Sequence, residues 1–488
     1  MSGAQDMANI NQRMAKGIVW MVAARLMDRS IGIVSTLILA RLLVPADFGL
    51  VAMATAIGGM LDLLGAFSFD VALIQNTKAE RRHYDTVWTF NVIFGLACTA
   101  GLLALAVPAS HFYHEARLAP VMCALSLSYF INAFNNVGVV NFRKELDFQQ
   151  EFQLIFARRL VSFAVTISAA FLLRSYWALL IGMTVGRVAG FILSYTMNAY
   201  RPRLTLSATR ELFHFSKWML ANNGLAFLLH DGATFIIGRV FGAAGLGIYS
   251  VSYEISNLPS TELVAPINRV TLPGFAKMAG TDEIAVSYLR LLGMITLVIL
   301  PVGFGIAAVA EPLVLAALGY KWTEAIPLIA ILGINGAISA TQTNNSAVWL
   351  ALGLPREVTR LNACFVLLLF PALYLCLTRY GIIGAGYAYL VAQTVNVPLA
   401  MSTTRRLLKF GWGDVARVVW RPVAAALAMY AIVTAFDHYI AGYAPIPRLL
   451  LDAAVGAAAY CALVLGLWAA SARPAGAERF CLERARLL

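Results

Sequence analysis

Arg25, Asp28 and Arg29 stand at i, i+3 and i+4 inside a long apolar stretch, Trp20 to Gln75. At about 100° per residue, the three share one helical face. A charge in hydrocarbon costs at least about 2.5 kcal/mol, so that face must meet a partner or water rather than lipid. Two guanidiniums against one carboxylate leave a positive excess, which suits binding of an anion, with Asp28 holding an arginine in place. The competing reading is an interhelical salt bridge.

Further polar residues interrupt later apolar stretches. Asp62 lies mid-helix and Asp70 nearer the helix end, and either could pair with the arginines or carry a proton. Arg187 lies deep in its helix and reads as a cavity group. Arg158 and Arg159 enter early in theirs and are expected to snorkel to the surface. Asn222 and Asn223 precede His230 and Asp231, and a histidine beside an aspartate can relay protons because it titrates near pH 6.5. Glu254 is a candidate for ion coupling, and Arg269 follows at the end of the same helix. Pro259 and Pro266 lie in that helix and permit bending. Thr341 to Ser346, with Asn344 and Asn345 at the centre, offers neutral donors and acceptors that suit sugar hydroxyls or bonds between helices.

These residues need elements to position them. The chain has 488 residues, of which 60% are hydrophobic and 13% charged. The apolar residues fall into blocks of about 20, long enough to cross about 30 Å of hydrocarbon. That composition excludes an ordinary soluble domain, and the block length excludes a membrane β-barrel. About fourteen helical spans are expected, beginning with 17–41 and 48–74 and ending with 446–470. The net charge of +12 is then a matter of orientation rather than nucleic-acid binding. With the N-terminus in the cytoplasm, cytoplasmic segments hold roughly 22 Lys and Arg and the opposite loops roughly 7. An even span number puts the C-terminus on the same side. The polar start is expected to run into the first span without cleavage. The cysteines show no CxxC spacing and read as inert thiols. No P-loop, metal cluster or nucleophile elbow is present in the sequence, which argues against an enzyme.

An internal repeat organises the spans. ILARLLVPADFGLV (38–51) lies over IIGRVFGAAGLGIY (236–249), so that Arg41 falls on Arg239, Gly49 on Gly247 and Trp20 on Trp218. Asn135–Asn136 is echoed by Asn344–Asn345. Helices 1–6 (1–200) and 7–12 (201–410) therefore read as two lobes, with helices 13–14 and a tail (411–488) appended. Six is even, so both copies run the same way and are related by an axis along the membrane normal. At depth, basic groups outnumber acidic ones by roughly 8 to 5, so a cleft between such lobes would attract anions.

ILARLLVPADFGLVAMATAI, followed by ALIQ and the basic loop KAERRHYDTVWTFN, resembles the polysaccharide transporter family of bacterial flippases. This is the Wzx type, exopolysaccharide and colanic-acid branch, within the multidrug/oligosaccharidyl-lipid/polysaccharide exporter superfamily. The resemblance implies two six-helix lobes in a V, plus extra helices. It implies alternating access that moves a polyprenyl-diphosphate-linked oligosaccharide from the cytoplasmic to the periplasmic leaflet of the bacterial inner membrane. It also implies first-helix arginines in the central cavity, the region of Arg25 and Arg29. Expected partners are that lipid-linked substrate, membrane lipids and the polymerase and export machinery. No cofactor is expected, and coupling to protons or sodium stays open. Competing readings are a multidrug exporter, which wants acidic groups for cationic drugs, and a membrane polymerase or ligase, which wants a larger outer loop.

Overall fold

The computed structural model describes residues 2–485 except 64–68, 70–72, 75–78, 279 and 475. The side chains of 2–16, 18, 210–222, 265–266, 268–270, 481–482 and 484–485 lie outside that description. Asp70 is therefore outside the described residues, as are the side chains of Asn222 and Arg269.

Among the described residues every long element is a helix. In chain order these are α1 (Ser2–Leu42), α2 (Pro45–Asp62), α3 (Arg81–Tyr113), α4 (Leu118–Ala133), the short α5 (Val140–Lys144), α6 (Phe148–Leu173), α7 (Trp177–Thr196) and α8 (Thr209–Pro259). They continue as α9 (Ala265–Ala276), α10 (Thr281–Ala308), α11 (Ala310–Ala317), α12 (Ala325–Thr341), α13 (Thr343–Ala351), α14 (Pro355–Tyr380), α15 (Gly384–Leu408), α16 (Trp412–Tyr439), α17 (Pro445–Ala470) and α18 (Ala477–Ala485).

Nine stretches of the described residues are long and apolar enough to cross a membrane, or up to ten with the bent α4–α5 pair. Two of them, Asn223–Val264 and Pro355–Leu408, hold 42 and 54 residues, each enough for two crossings of about 20. Counting those twice and adding the bent pair, α1 and α2 brings the number to fourteen. Arg25, Asp28, Arg29 and Arg41 make α1 more polar than an ordinary span.

The helices form two compact units, Met1–Gly247 and Ile248–Leu488. Within the first, chain breaks follow the repeat. α1 ends before an extended Val44, with Pro45 opening α2. Gly242, at the matching place in α8, takes φ 63° and ψ −164°, a left-handed conformation that only glycine adopts without strain. The packing is reciprocal as well. A methyl group on Gly49 would overlap the Ala243 carbonyl, and one on Gly247 would overlap the Pro45 carbonyl. Pro45 and Ala243, like Gly49 and Gly247, are separated by the repeat offset, so the two contacts are exchanged by one local two-fold.

Lipid is as apolar as leucine, so association of spans rests on close packing by small residues. α7 carries Gly182, Gly186 and Gly190 one turn apart, against Thr166, Ser162 and Arg158 of α6. In the second unit, α8 ends at Pro259 and passes through a π-helical turn, Ser260–Val264, into α9 with Pro266 in its first turn. Backbone groups near this break are met by side chains: Ser260 Oγ donates to the Gly336 carbonyl at 3.1 Å.

Candidate functional site

The charged groups of the first unit form a network across five helices. Asp28 of α1 reaches across to another helix. It pairs with Arg159 Nε of α6 at 3.1 Å, and the two side chains stay 52% and 40% exposed. Arg158 feels the charges of Asp28, Arg159 and Arg187. Arg158 is exposed and the Arg159 side chain 40% exposed, so the ion pair adds to the expected snorkelling and does not replace it. Their α6 positions face α1 and α7 across a glycine-lined seam, and Asp28 offers Arg159 a partner at depth. Arg187, midway along α7, stacks on the Tyr129 ring of α4 at 4.8 Å. The Tyr129 hydroxyl donates to Asp62 Oδ2 of α2 at 3.1 Å, and Arg187 acts on the Asp62 charge.

Glycines shape this network. A methyl on Gly190 would stand 2.9 Å from Arg158 Cδ, and one on Gly32 would stand 3.0 Å from an Arg159 terminal nitrogen. Gly58 likewise leaves room for the Tyr129 hydroxyl. The Gly-x-x-x-Gly-x-x-x-Gly run of α7 was legible in the sequence, but its partner on α6 was not. That pairing makes Arg158, Arg159 and Tyr129 part of the site.

An ion pair half open at this depth cannot face hydrocarbon without a cost of several kcal/mol, so its open side faces water or a polar ligand. Guanidiniums suit phosphate because their donors match its oxygens in pairs. Four arginines and two carboxylates (Arg25, Arg29, Arg158 and Arg187 with Asp28 and Asp62), together with Arg159, leave this unit a positive balance. Arg25 and Arg29 are half-buried, and both are engaged in contacts.

The other candidates are dispersed. Asn223 is half-buried and engaged. His230 is exposed and Asp231 half-buried. They are electrostatic neighbours, but adjacent helical positions point about 100° apart and do not face each other. Glu254 is half-buried and engaged in the second unit. Asn344 and Asn345 are fully buried. Asn345 Oδ1 accepts from the Tyr288 and Thr404 hydroxyls, each at 2.7 Å, and its Nδ2 donates to Gln342 Oε1 at 2.9 Å. Trp349 Nε1 in turn donates to Thr404 Oγ1 at 3.0 Å. Asn345 thus enters an interhelical network, whereas neither polar side-chain atom of Asn344 has a hydrogen-bond partner among the described residues.

The basic loop motif has a structural role at the start of α3. Asp85 Oδ1 accepts from the Tyr200 hydroxyl at 2.5 Å and from the Arg203 backbone at 2.8 Å. Thr89 Oγ1 and Thr86 Oγ1 accept from Thr205 and Ala208 backbone amides. The motif thus staples the linker that leads into α8. Burial and the bond to Asp85 push the Tyr200 hydroxyl above its usual pKa. Arg239, the repeat partner of Arg41, contacts the Phe112 carbonyl and the His114 ring at the far end of α3.

A model of a family described as polysaccharide biosynthesis protein matches residues 38–327. The lipopolysaccharide biosynthesis protein WzxC of Escherichia coli (strain K12) is 23% identical over 401 residues, 80% of this chain and 81% of that one. The succinoglycan biosynthesis transport protein ExoT of Rhizobium meliloti (strain 1021) is 23% identical over 469 residues, 92% of each. Among solved structures, lipid II flippase MurJ in an inward closed conformation aligns with a TM-score of 0.73 at 12% identity. The alignment covers 93% of this chain and 100% of that one. An inward-facing multidrug resistance MATE family transporter aligns with a TM-score of 0.59 at 14% identity, over 80% of this chain and 98% of that one. At these identities the structural likeness establishes the fold, an all-α membrane transporter fold.

Proposed function

The chain belongs to the polysaccharide biosynthesis protein family, and on that premise we propose that it is a flippase for polyprenyl-diphosphate-linked oligosaccharide repeat units. It carries them from the cytoplasmic to the periplasmic leaflet of a bacterial inner membrane, with both termini in the cytoplasm. The observation that carries this reading is the arginine-rich network of the first unit, anchored by the Asp28–Arg159 pair. A diphosphate has the charge and oxygen geometry to take over guanidiniums now held by Asp28, Asp62 and the Tyr129 ring. The carboxylates keep the arginines paired and oriented while substrate is absent, which limits the cost of charge at depth.

Movement is by alternating access between two lobes, 1–200 and 201–410, with 411–488 as additional helices. Arg25 and Arg29 contribute to the substrate face, as does Arg269. Asn222 and Asn223 serve the sugar. The polyprenyl tail stays in lipid. Coupling to protons or sodium would use Asp62, Asp231 with His230, or Glu254. The product is delivered to a polymerase and export machinery. Relatives named for polysaccharide biosynthesis and transport support this over drug export, as does the basic balance of the network, which repels cationic drugs.

Purified protein in liposomes, given a lipid-linked oligosaccharide, tests the reading. Replacing both Arg158 and Arg187 by alanine removes two charged contacts, each worth about 1.5–3 kcal/mol, and should slow flipping at least about tenfold. Flipping at the normal rate by the folded double variant would overturn the diphosphate site.

A further inference from the structure

A second set of charges lies in the second unit, among residues that none of the candidates above includes. Glu311 is in the first turn of α11, Asp437 and His438 close α16, and Arg448 and Asp452 lie one turn apart near the start of α17. The Arg448 side chain is only 7% exposed. Its Nε donates to Asp437 Oδ1 at 2.5 Å, and its Nη2 donates to Asp437 Oδ2 at 2.7 Å and to Glu311 Oε2 at 2.9 Å. One guanidinium therefore serves two carboxylates.

The third carboxylate has no such partner. Asp452 is 0% exposed, and neither of its side-chain oxygens receives a hydrogen bond from the described residues. The polar side chain within hydrogen-bonding reach is Asp437, itself an acceptor. Two acceptors thus meet with no donor between them, and three carboxylates surround one guanidinium. Two adjacent buried carboxylates cannot both stay ionised at acceptable cost. A hydrogen on one of them supplies both the missing donor and the missing positive charge.

We propose that Asp452 and Asp437 share one proton, which makes the α16–α17 turn a proton-binding site. Asp452 carries the hydrogen and donates it to Asp437. Arg448 occupies the remaining Asp437 acceptors and draws in Glu311. His438 is the other titratable group acting on Asp437, and Glu311 is the group facing the cluster from α11. The proton comes from solvent and returns to it. Because Arg448 joins α16 and α17 to α11, proton occupancy sets how tightly the last two long helices hold to the rest of their unit. A metal cation fits less well, since Arg448 already fills the Asp437 oxygens that would coordinate it.

Infrared titration of the purified, intact protein provides the test. At neutral pH, where ordinary carboxylates are ionised, wild type should still show a protonated-carboxyl C=O band, and it should disappear as the solution is made alkaline. Asp452→Asn should lack that band at and above neutral pH. Its amide N–H donates permanently to Asp437, so its thermal midpoint should stay flat across the range where wild type loses stability. Should Asp452→Asn fail to fold, Asp437→Asn removes the other half of the pair and should delete the same band. A wild-type protein with no such band at neutral pH would overturn the proposal. So would a band that survives both substitutions. Stabilisation of wild type by sodium or calcium at alkaline pH, matching that of acid, would assign the site to a metal cation instead.

Discussion

Asn136 and Asn345 are equivalent in the repeat, and both are fully buried beside a break between helices. Asn136 Nδ2 donates to the Tyr200 carbonyl at 2.7 Å, and its Oδ1 accepts from the Gly138 amide at 2.9 Å. Asn345 ties Tyr288, Thr404 and Gln342 together. Both asparagines therefore stabilise a bend. Their surroundings differ. The first unit places Arg158, Arg159, Arg187, Asp28 and Asp62 at membrane depth, with its ion pair half open. The second unit surrounds its asparagine with neutral hydroxyl, amide and indole groups, buried except for the half-buried Gln342. The difference teaches that a buried asparagine beside a helix break can sit in a charged surrounding or in a neutral one. A closed neutral network holds shape. An open charged one can exchange its partners for a ligand.

Three perturbations sharpen this contrast. The largest effect on folding is expected at Asn345→Ala. It removes the acceptor of the Tyr288 hydroxyl, at a cost of about 1–3 kcal/mol for the unsatisfied group, while the Thr404 hydroxyl keeps its bond to the Ala400 carbonyl. The thermal midpoint should drop, while flipping per folded molecule stays near normal. A normal midpoint with lost flipping would make Asn345 a substrate group and erase the contrast.

A smaller, opposite signature is expected at Gly190→Ala. Its methyl would crowd Arg158 Cδ at 2.9 Å, and a long arginine side chain can move aside with little loss of stability. Small displacements of a positioning charge can still cost up to about a hundredfold in rate. Flipping should therefore fall several-fold with the melting curve almost unchanged.

The smallest effect concerns an ion pair outside both networks. Glu115 accepts from Arg117 Nε at 2.8 Å and from its Nη2 at 2.9 Å. That bond holds the Glu115 carboxyl below its usual pKa. The stabilisation is present above the ordinary carboxylate value and is lost as pH falls through the lower folded value. Glu115→Gln should therefore lower stability near neutral pH by less than about 1 kcal/mol, and the gap from wild type should close in acid. A gap independent of pH would mean that the charge is not what matters.

Much of the scaffold was legible before any coordinates. The apolar blocks had the length of membrane spans, and the repeat ILARLLVPADFGLV/IIGRVFGAAGLGIY marked the positions where Gly49 and Gly247 now pack reciprocally. Arg25, Asp28 and Arg29 advertised a polar face because hydrocarbon tolerates no unpaired charge. The partner of Asp28 was not legible. Arg159 lies far along the chain, near a helix entrance, where a surface role reads equally well. Tyr129 carried no signal, since a tyrosine in an apolar span is ordinary. The polar run around Asn345 was visible, but periodicity does not say whether it turns toward a ligand or toward Tyr288.

Hydropathy and spacing by themselves determined that this chain is a helical membrane protein with charged residues inside its apolar stretches. Those properties follow from local length, composition and the cost of burying charge. Which carboxylate meets which guanidinium, and that Asp452 has no donor among the described residues, were decided only by the tertiary structure. Such pairings join side chains on different helices, and the small-residue seams that set helix register are specified by both partners together.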